Sequence, residues 1–189
     1  MTTILVILLG VIIVGVVGVG IFWFSSYNRL VKYRMWAEES WAQIDNMLKQ
    51  RYDMIPNLVE TVKGYASHEQ ETFTQVIEAR NKMTSSDATR NEQVHANNEL
   101  EGTLNRLFAL REDYPDLKAN ENFLRLQEEL TAMENKLAYA RQSYNSTVRD
   151  YNIAVQSIPT NFVAGVHNFM QYEMLETPEE ARQNVQVQF

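Results

Sequence analysis

The sequence contains no cysteine, and this absence excludes several kinds of chemistry. Disulfide bonds, thiolate nucleophiles, sulfur-ligated metals and lipoprotein anchors all need cysteine. Glycine and proline are also scarce, with 7 and 4 among 189 residues. Because both residues interrupt regular elements, their scarcity favours long helices over sheets.

Charged side chains are missing from Ile4 to Phe24, a run of apolar residues and glycines. A helix of this length rises about 1.5 Å per residue and spans roughly 30 Å, the thickness of a bilayer's hydrocarbon core. A cleaved signal peptide needs a basic segment before the run and small residues after it, and both are missing here. The run therefore predicts a retained transmembrane helix over residues 4–25, after a short stub of residues 1–3.

Basic residues follow this run but do not precede it, which predicts its orientation. The positive-inside rule places the C-terminal side in the cytoplasm and the stub outside. A bundle on the periplasmic or extracellular side remains the alternative, and the basic residues can instead simply begin a solvated helix face. The expected membrane-interface residues are Phe22, Trp23, Phe24, Tyr27, Arg29, Lys32 and Arg34.

Beyond the membrane run, acidic residues outnumber basic ones. Three of the 17 Lys and Arg residues precede Met35, and none of the 24 Asp and Glu residues does. The remainder of the chain therefore carries a net negative charge, which repels nucleic acid. We expect the lipid bilayer as a partner and no nucleic acid.

Helical spacing of apolar residues continues from the membrane run to about Met54 without a breaker, which predicts a rigid stalk. Pro56 comes next, and a proline inside a helix removes one hydrogen bond and clashes with the preceding turn. We therefore predict a kink or short break here, with Asp53 or Asn57 satisfying the freed backbone groups. The helix is expected to resume and to continue to about Met83.

Turns separate the helices that are predicted further along the chain. A polar turn at 84–87 can cap the next helix, which is expected at 88–113 with a weakly apolar and loosely packed first half. A proline turn at 114–116 precedes a long helix at 119–158. A short closing helix at 161–172 and a polar, flexible tail at 176–189 end the series. The long helix keeps a three/four apolar spacing over more than five heptads, as in a coiled coil.

These elements predict an all-α fold. A single N-terminal transmembrane helix continues into an antiparallel four-helix bundle over residues 26–175, because short turns make sequential long helices antiparallel neighbours.

Several motifs resemble those of the LemA family. They are Arg51–Glu69, Tyr114–Leu130, Glu134–Asn152 with its tyrosine–asparagine pairs, and the pair Tyr27-Asn28. The resemblance covers nearly the whole chain, with departures at Gln50 and at His167–Met174 that affect only the last helix. It implies a bacterial membrane protein with a short outer N-terminus and an antiparallel four-helix bundle inside. It implies no enzyme activity, and it suggests scaffold or adaptor work, since some relatives are encoded beside a heat-shock-type membrane metalloprotease and others organise membrane compartments.

No constellation of residues predicts catalysis or metal binding. Di-metal bundles use two Glu-x-x-His motifs and two further glutamates, whereas this chain has one such motif, Glu92–His95. His68-Glu69 begins like a zinc-protease motif but lacks the second histidine. Nucleophile elbows and phosphate-binding glycine loops are absent too. We expect no catalytic residue, metal or cofactor.

An unusual cluster surrounds Pro56 and extends beyond it. Its members are Asp53, Pro56, Asn57, Gly64, Tyr65, His68 and Glu69. One hypothesis is a surface that docks a partner protein around a helix kink. The other, which the residue types favour, is a structural kink with its hydrogen bonds and a glycine that permits close helix approach.

Aromatic residues give two further expectations. The tyrosine–asparagine pairs are predicted to hydrogen-bond between helices. Trp36 lies five residues before Trp41, so the two do not share a helix face, and one of them is expected to be exposed.

Three functions remain as hypotheses. The leading one is a non-enzymatic, membrane-anchored helical scaffold or adaptor that forms homo-oligomers. The alternative is a regulatory or substrate-presenting partner of a membrane protease or export machinery. The third, a metal-dependent enzyme, depends on the single Glu-x-x-His motif.

Overall fold

The computed structural model describes residues 2–83 and 88–176, and all regular structure in these ranges is helical. The helices are α1 (Thr2–Lys63), α2 (Gln70–Lys82), α3 (Arg90–Ala109), α4 (Pro115–Lys118), α5 (Glu121–Gln156) and α6 (Thr160–Val166), with a 3-10 turn at Leu110–Glu112. The all-α fold class is confirmed. The predicted turn at 84–87 and the tail beyond Glu176 lie outside the described residues.

The chain divides into two compact units. Of the described residues, the first unit contains those up to Trp41 together with Ser143–Met174, and the second contains those of Ala42–Gln142 with Leu175 and Glu176. α1 and α5 each contribute residues to both units.

The first part of α1 exposes its apolar side chains. From Ile4 to Ile21 every large hydrophobic residue is exposed. Within the described part of the chain, α1 is the single helix that is long and apolar enough to cross a membrane, judged by length and composition.

α1 continues through Pro56, so the predicted break is wrong. Proline removes the N–H that would bond the carbonyl of Tyr52, four residues earlier. Arg80 of α2 compensates, because its Nε donates to that carbonyl at 3.4 Å and its guanidinium lies 3.8 Å from the centre of the Tyr52 ring. A side chain from a neighbouring helix thus replaces the missing backbone donor, rather than Asp53 or Asn57.

α1 ends at Lys63, which corrects the prediction of a helix to Met83. The connector Gly64–Glu69 comes next, and the N–H groups of Tyr65 and Ala66 both bond the carbonyl of Val62, at 3.0 and 2.9 Å. Buried Ala66 and Phe73 keep a helical spacing, which hid the turn in the apolar pattern. Lys63 followed by Gly64 is a helix-stop signal that apolar periodicity alone does not detect.

Four long or medium helices supply the core of the second unit. Its buried members are Ile55, Leu58, Val59 and Val62 of α1, Phe73, Val76 and Ala79 of α2, Leu100, Leu104 and Leu107 of α3, and Phe123, Leu126 and Leu130 of α5, with Ala66 of the connector and Leu117 of α4. Full burial of a large apolar side chain contributes about 1.5–3 kcal/mol, so this cluster dominates the unit's stability.

α3 begins with a capping box formed by Thr89 and Glu92. The Thr89 hydroxyl accepts from the Glu92 N–H at 3.3 Å, and the Glu92 carboxylate accepts from the Thr89 N–H at 2.7 Å. The backbone hydrogen bond lowers the pKa of Glu92. The first half of α3 is not loosely packed as predicted, because Val94 and Asn97 are buried.

The first unit ends with α6 and a non-helical stretch at residues 167–174, called the closing segment, so the predicted closing helix is too long. α6 ends at Val166 instead of Tyr172. The Tyr151 hydroxyl donates to the Met170 carbonyl at 2.9 Å, and Asn152 exchanges two hydrogen bonds with the backbone of Tyr172. This tyrosine–asparagine pair therefore holds the main chain of the closing segment instead of bonding another helix.

We expect Arg80→Ala to destabilise the full chain by about 1–2 kcal/mol, because the Tyr52 carbonyl loses its donor and the ring loses its cation. Pro56→Ala restores an N–H that can bond the same carbonyl, so removing Arg80 costs less in that background. Unfolding in mild detergent, followed by circular dichroism, measures the four free energies.

Arg125→Ala is the matched control, since Arg125 is an exposed arginine of α5 and its loss should change stability by less than about 0.5 kcal/mol. Equal costs of Arg80→Ala with and without Pro56 would contradict the coupling.

Candidate functional site

The predicted membrane-interface residues include an aromatic group that packs on the closing segment of the first unit. Phe22 and Phe24 are exposed. Trp23 Nε1 donates to His167 Nε2 at 3.3 Å, and the Tyr27 ring lies 4.7 Å from the ring of His167. The rings of Trp23 and Tyr27 are therefore fixed beside the chain just after α6, and their contact with lipid stays a prediction.

The basic members of this set also have defined contacts. Arg29 donates to the Thr160 hydroxyl at 2.9 Å, and the Arg34 guanidinium lies 5.1 Å from the Phe169 ring centre. The Lys32 ammonium lies 4.7 Å from the ring centre of Trp36. Trp36 is exposed, as expected for one of the two residues Trp36 and Trp41. Arg29 and Arg34 therefore contact α6 and the closing segment and do more than begin a solvated face.

The predicted docking cluster separates into three places in the second unit. Pro56 is half-buried and leaves the Tyr52 carbonyl to be bonded by Arg80, and Asn57 is exposed on the same helix. Asp53 is exposed and lines a groove between α1 and α5. The other four residues belong to the connector Gly64–Glu69.

The connector is tied to the segment around α4. Asn120 donates to the Tyr65 hydroxyl at 2.8 Å, and the Tyr114 hydroxyl donates to the Glu69 carboxylate at 3.0 Å. The latter bond raises the pKa of Tyr114. His68 is exposed. Tyr65 and Glu69 thus have structural roles, and docking by this cluster stays a prediction.

The groove between α1 and α5 has a volume of about 740 Å³. Its walls include three methionines, Met47, Met54 and Met133, and three charged residues, Asp53, Glu129 and Lys136. Methionine side chains adapt to different surfaces, and charges of both signs around them give a patch that can pair with another protein. The groove is the best candidate for a protein-binding site in the second unit.

A buried polar network crosses the same unit. Arg51 is 3% exposed, donates to Asn97 Oδ1 at 3.0 Å and forms an ion pair with Glu134. Arg141 is 6% exposed and donates to Asn98 Oδ1 at 3.1 Å. Burial lowers the pKa of Arg141, although an arginine stays charged at neutral pH.

Sequence reasoning missed this network, although a signal was present. Arg51 continues the spacing of Leu48 and Ile55, and Arg141 continues that of Leu137 and Tyr144, so each arginine occupies a core position of its helix. The network joins α1, α3 and α5 and carries no nucleophile. We expect this buried ion pair to fix which helix faces meet, more than it adds stability.

The single Glu-x-x-His motif is used for structure. Glu92 belongs to the capping box, and His95 lies 3.1 Å from a carboxylate oxygen of Glu176. Within residues 2–83 and 88–176, no three histidine, aspartate or glutamate side chains are grouped so that they can hold a metal ion. The motif thus gives no support to a metal-dependent enzyme.

Comparison with known proteins gives one family. The family model described as LemA family matches residues 40–189. The chain is 24% identical to protein LemA of Metamycoplasma hominis over 149 residues, which cover 77% of this chain and 68% of the relative.

Magnetosome proteins are also similar to this chain. The chain is 20% identical over 172 residues to magnetosome protein MamQ of Magnetospirillum gryphiswaldense, covering 78% of this chain and 63% of the relative. It is 30% identical over 73 residues to magnetosome protein MamQ 2 of Paramagnetospirillum magneticum, covering 39% of this chain and 27% of the relative. It therefore spans less than two thirds of the length of these magnetosome proteins. None of the relatives' names describes an enzymatic activity.

We expect Glu134→Gln to destabilise the full chain by about 3 kcal/mol, because Arg51 is left as a buried charge without a counter-charge. Replacing both partners, as Arg51→Met with Glu134→Leu, removes the buried charge as well and should cost less than Glu134→Gln alone. Denaturant unfolding in mild detergent measures both costs.

Glu128→Gln removes an exposed carboxylate from the same helix and serves as the control. If Glu134→Gln is as harmless as this control, the ion pair does not hold the helices together.

Proposed function

We propose, because this chain belongs to the LemA family, that it is a non-enzymatic helical scaffold or adaptor anchored in the bacterial inner membrane. The observation that carries the proposal is the exposed apolar part of α1, whose large side chains have no covering protein surface from Ile4 to Ile21. Exposed apolar surface of this extent is stable in lipid and costly in water. The remaining helices of the chain then stand at the membrane as a surface for other proteins.

The finer architecture in this proposal is an antiparallel four-helix bundle, with α5 packed lengthwise as in a coiled coil. The shared core of α1, α2, α3 and α5 in the second unit supports it. Short connectors such as Gly64–Glu69 favour antiparallel neighbours.

The partner in this proposal is a second copy of the chain, which contacts the groove between α1 and α5. Two-fold oligomers pair the same surface on both copies, so that surface must be complementary to itself. The groove lining supports this pairing, because it combines the acidic Asp53 and Glu129 with the basic Lys136 and with adaptable methionines.

Light scattering and native mass spectrometry of the full chain in mild detergent test the scaffold. We expect a uniform homo-oligomer, and we expect Met47→Lys with Met133→Lys to lower its mass because each copy then brings extra positive charge into an apolar contact. Thr131→Lys adds the same kind of charge to an exposed position of α5 outside the groove lining and should leave the mass unchanged.

A monomer at all concentrations would remove the homo-oligomer. A monomer that carries a membrane protease or an export component would instead favour the regulatory partner of such a machine.

The proposed orientation places the residues before the membrane helix outside and the bundle in the cytoplasm. Because the chain has no cysteine, an introduced one reports a single position. In intact bacteria we expect a membrane-impermeant maleimide to label Thr3→Cys, and to label Tyr139→Cys, which is exposed on α5, only after lysis. The reverse pattern would place the bundle on the periplasmic or extracellular side.

A further inference from the structure

α6 has one buried face and one exposed apolar face. Thr160, Val163 and Ala164 are buried in the first unit. On the other side Phe162 and Val166, four residues apart, are 64% and 65% exposed, and the flanking Ile158 and Met170 are 80% and 75% exposed. Large apolar residues exposed together on one short segment indicate a contact surface.

This surface lies in a stretch of chain without formal charge. Residues 151–172 contain no lysine, arginine, aspartate or glutamate, although 22% of the chain is charged. A helix face that meets water or a charged protein rim normally carries such residues. The composition therefore fits an apolar partner.

The position of α6 along α1 identifies that partner as lipid. His167, just after α6, contacts Trp23, and Thr160 at its start contacts Arg29. These two residues of α1 are about 9 Å apart along the helix axis, at about 1.5 Å per residue. α6 thus lies beside the end of the apolar run, where uncharged residues give way to the basic residues.

The headgroup layer of a bilayer is about as deep as the stretch of α1 that α6 lies beside. The headgroup region on each side of the hydrocarbon core is roughly 5–8 Å thick. If residues 4–25 span the core, as the proposed function holds, α6 lies in that layer with its exposed face free to enter it. α6 runs alongside α1 here, because its two ends contact positions about 9 Å apart on that helix, so its exposed face meets this layer from the side.

We propose that α6 and its flanks form a second membrane contact, in which Phe162 and Val166, with Ile158 and Met170, insert between lipid headgroups beside the transmembrane helix. The occupant of this face is the bilayer itself and not another protein. This inference rests on the proposed membrane anchor. Two attachment points would fix the depth and the tilt of α1.

Site-specific fluorescence in vesicles tests the contact. The full chain is reconstituted into phosphatidylcholine and phosphatidylglycerol vesicles as single-cysteine variants that carry an environment-sensitive dye. Phe162→Cys and Val166→Cys report the proposed contact, and both positions are exposed, so the label does not disturb the core. Val14→Cys reports the membrane helix, and Tyr139→Cys reports an exposed position in the second unit.

Lipids that carry a quencher near the headgroup should remove most of the fluorescence at 162 and 166 and leave that at 139 unchanged. Quenchers near the end of the acyl chain should act on 14. If lipid quenchers act on the dye at position 14 but leave the dyes at 162 and 166 as bright as the dye at 139, the second contact is overturned and the anchor stands.

If 14 is not quenched by lipid, the anchor proposal falls, and the response at 162 and 166 still decides the contact with lipid. If 162 and 166 are shielded from both the lipid quenchers and aqueous iodide, a protein covers this face and the inference is overturned.

Discussion

α1 must satisfy its own backbone hydrogen bonds over 62 residues, and much of the remaining structure depends on this constraint. A membrane core offers no water to an unpaired carbonyl, and a protein core offers none either. Where Pro56 removes one donor, Arg80 of α2 supplies another. The same arginine packs on the Tyr52 ring, so a defect in one helix becomes a contact that positions the next.

In the second unit, buried polar side chains also need hydrogen-bond partners. Arg51 and Arg141 occupy positions where an apolar residue would fill the core, and each is held by an asparagine of α3. An apolar core tolerates a helix that slides or rotates, because its contacts are non-directional. The bonds from Arg51 to Asn97 and Glu134 are directional, so we expect them to specify how α1, α3 and α5 meet.

Sequence alone predicted the all-α fold, the membrane-length helix and the LemA family, because long apolar periodicity and extended motifs are strong signals. It placed the first break at Pro56, because apolar spacing does not reveal which distant side chain supplies a hydrogen bond. It missed the turn at Gly64–Glu69, because the apolar residues keep a helical spacing through that turn. It missed the network of Arg51 and Arg141, because charged residues lie at the surface of most helices. It extended the closing helix too far, since the chain after Val166 is not helical and its backbone is held by Tyr151 and Asn152.

The closing segment also explains why α6 can leave an apolar face uncovered. Tyr151 and Asn152 hold its main chain, and Trp23, Tyr27 and Arg29 hold the two ends of α6 against α1. These bonds fix α6 without using Phe162 or Val166. In water such exposed side chains would gain by turning inward, at about 25 cal/mol for each Å² removed from solvent. If α6 lies at the boundary of the hydrocarbon core, as proposed, the acyl chains begin beside these side chains, and the exposed face of α6 and the exposed apolar part of α1 then have the same physical cause.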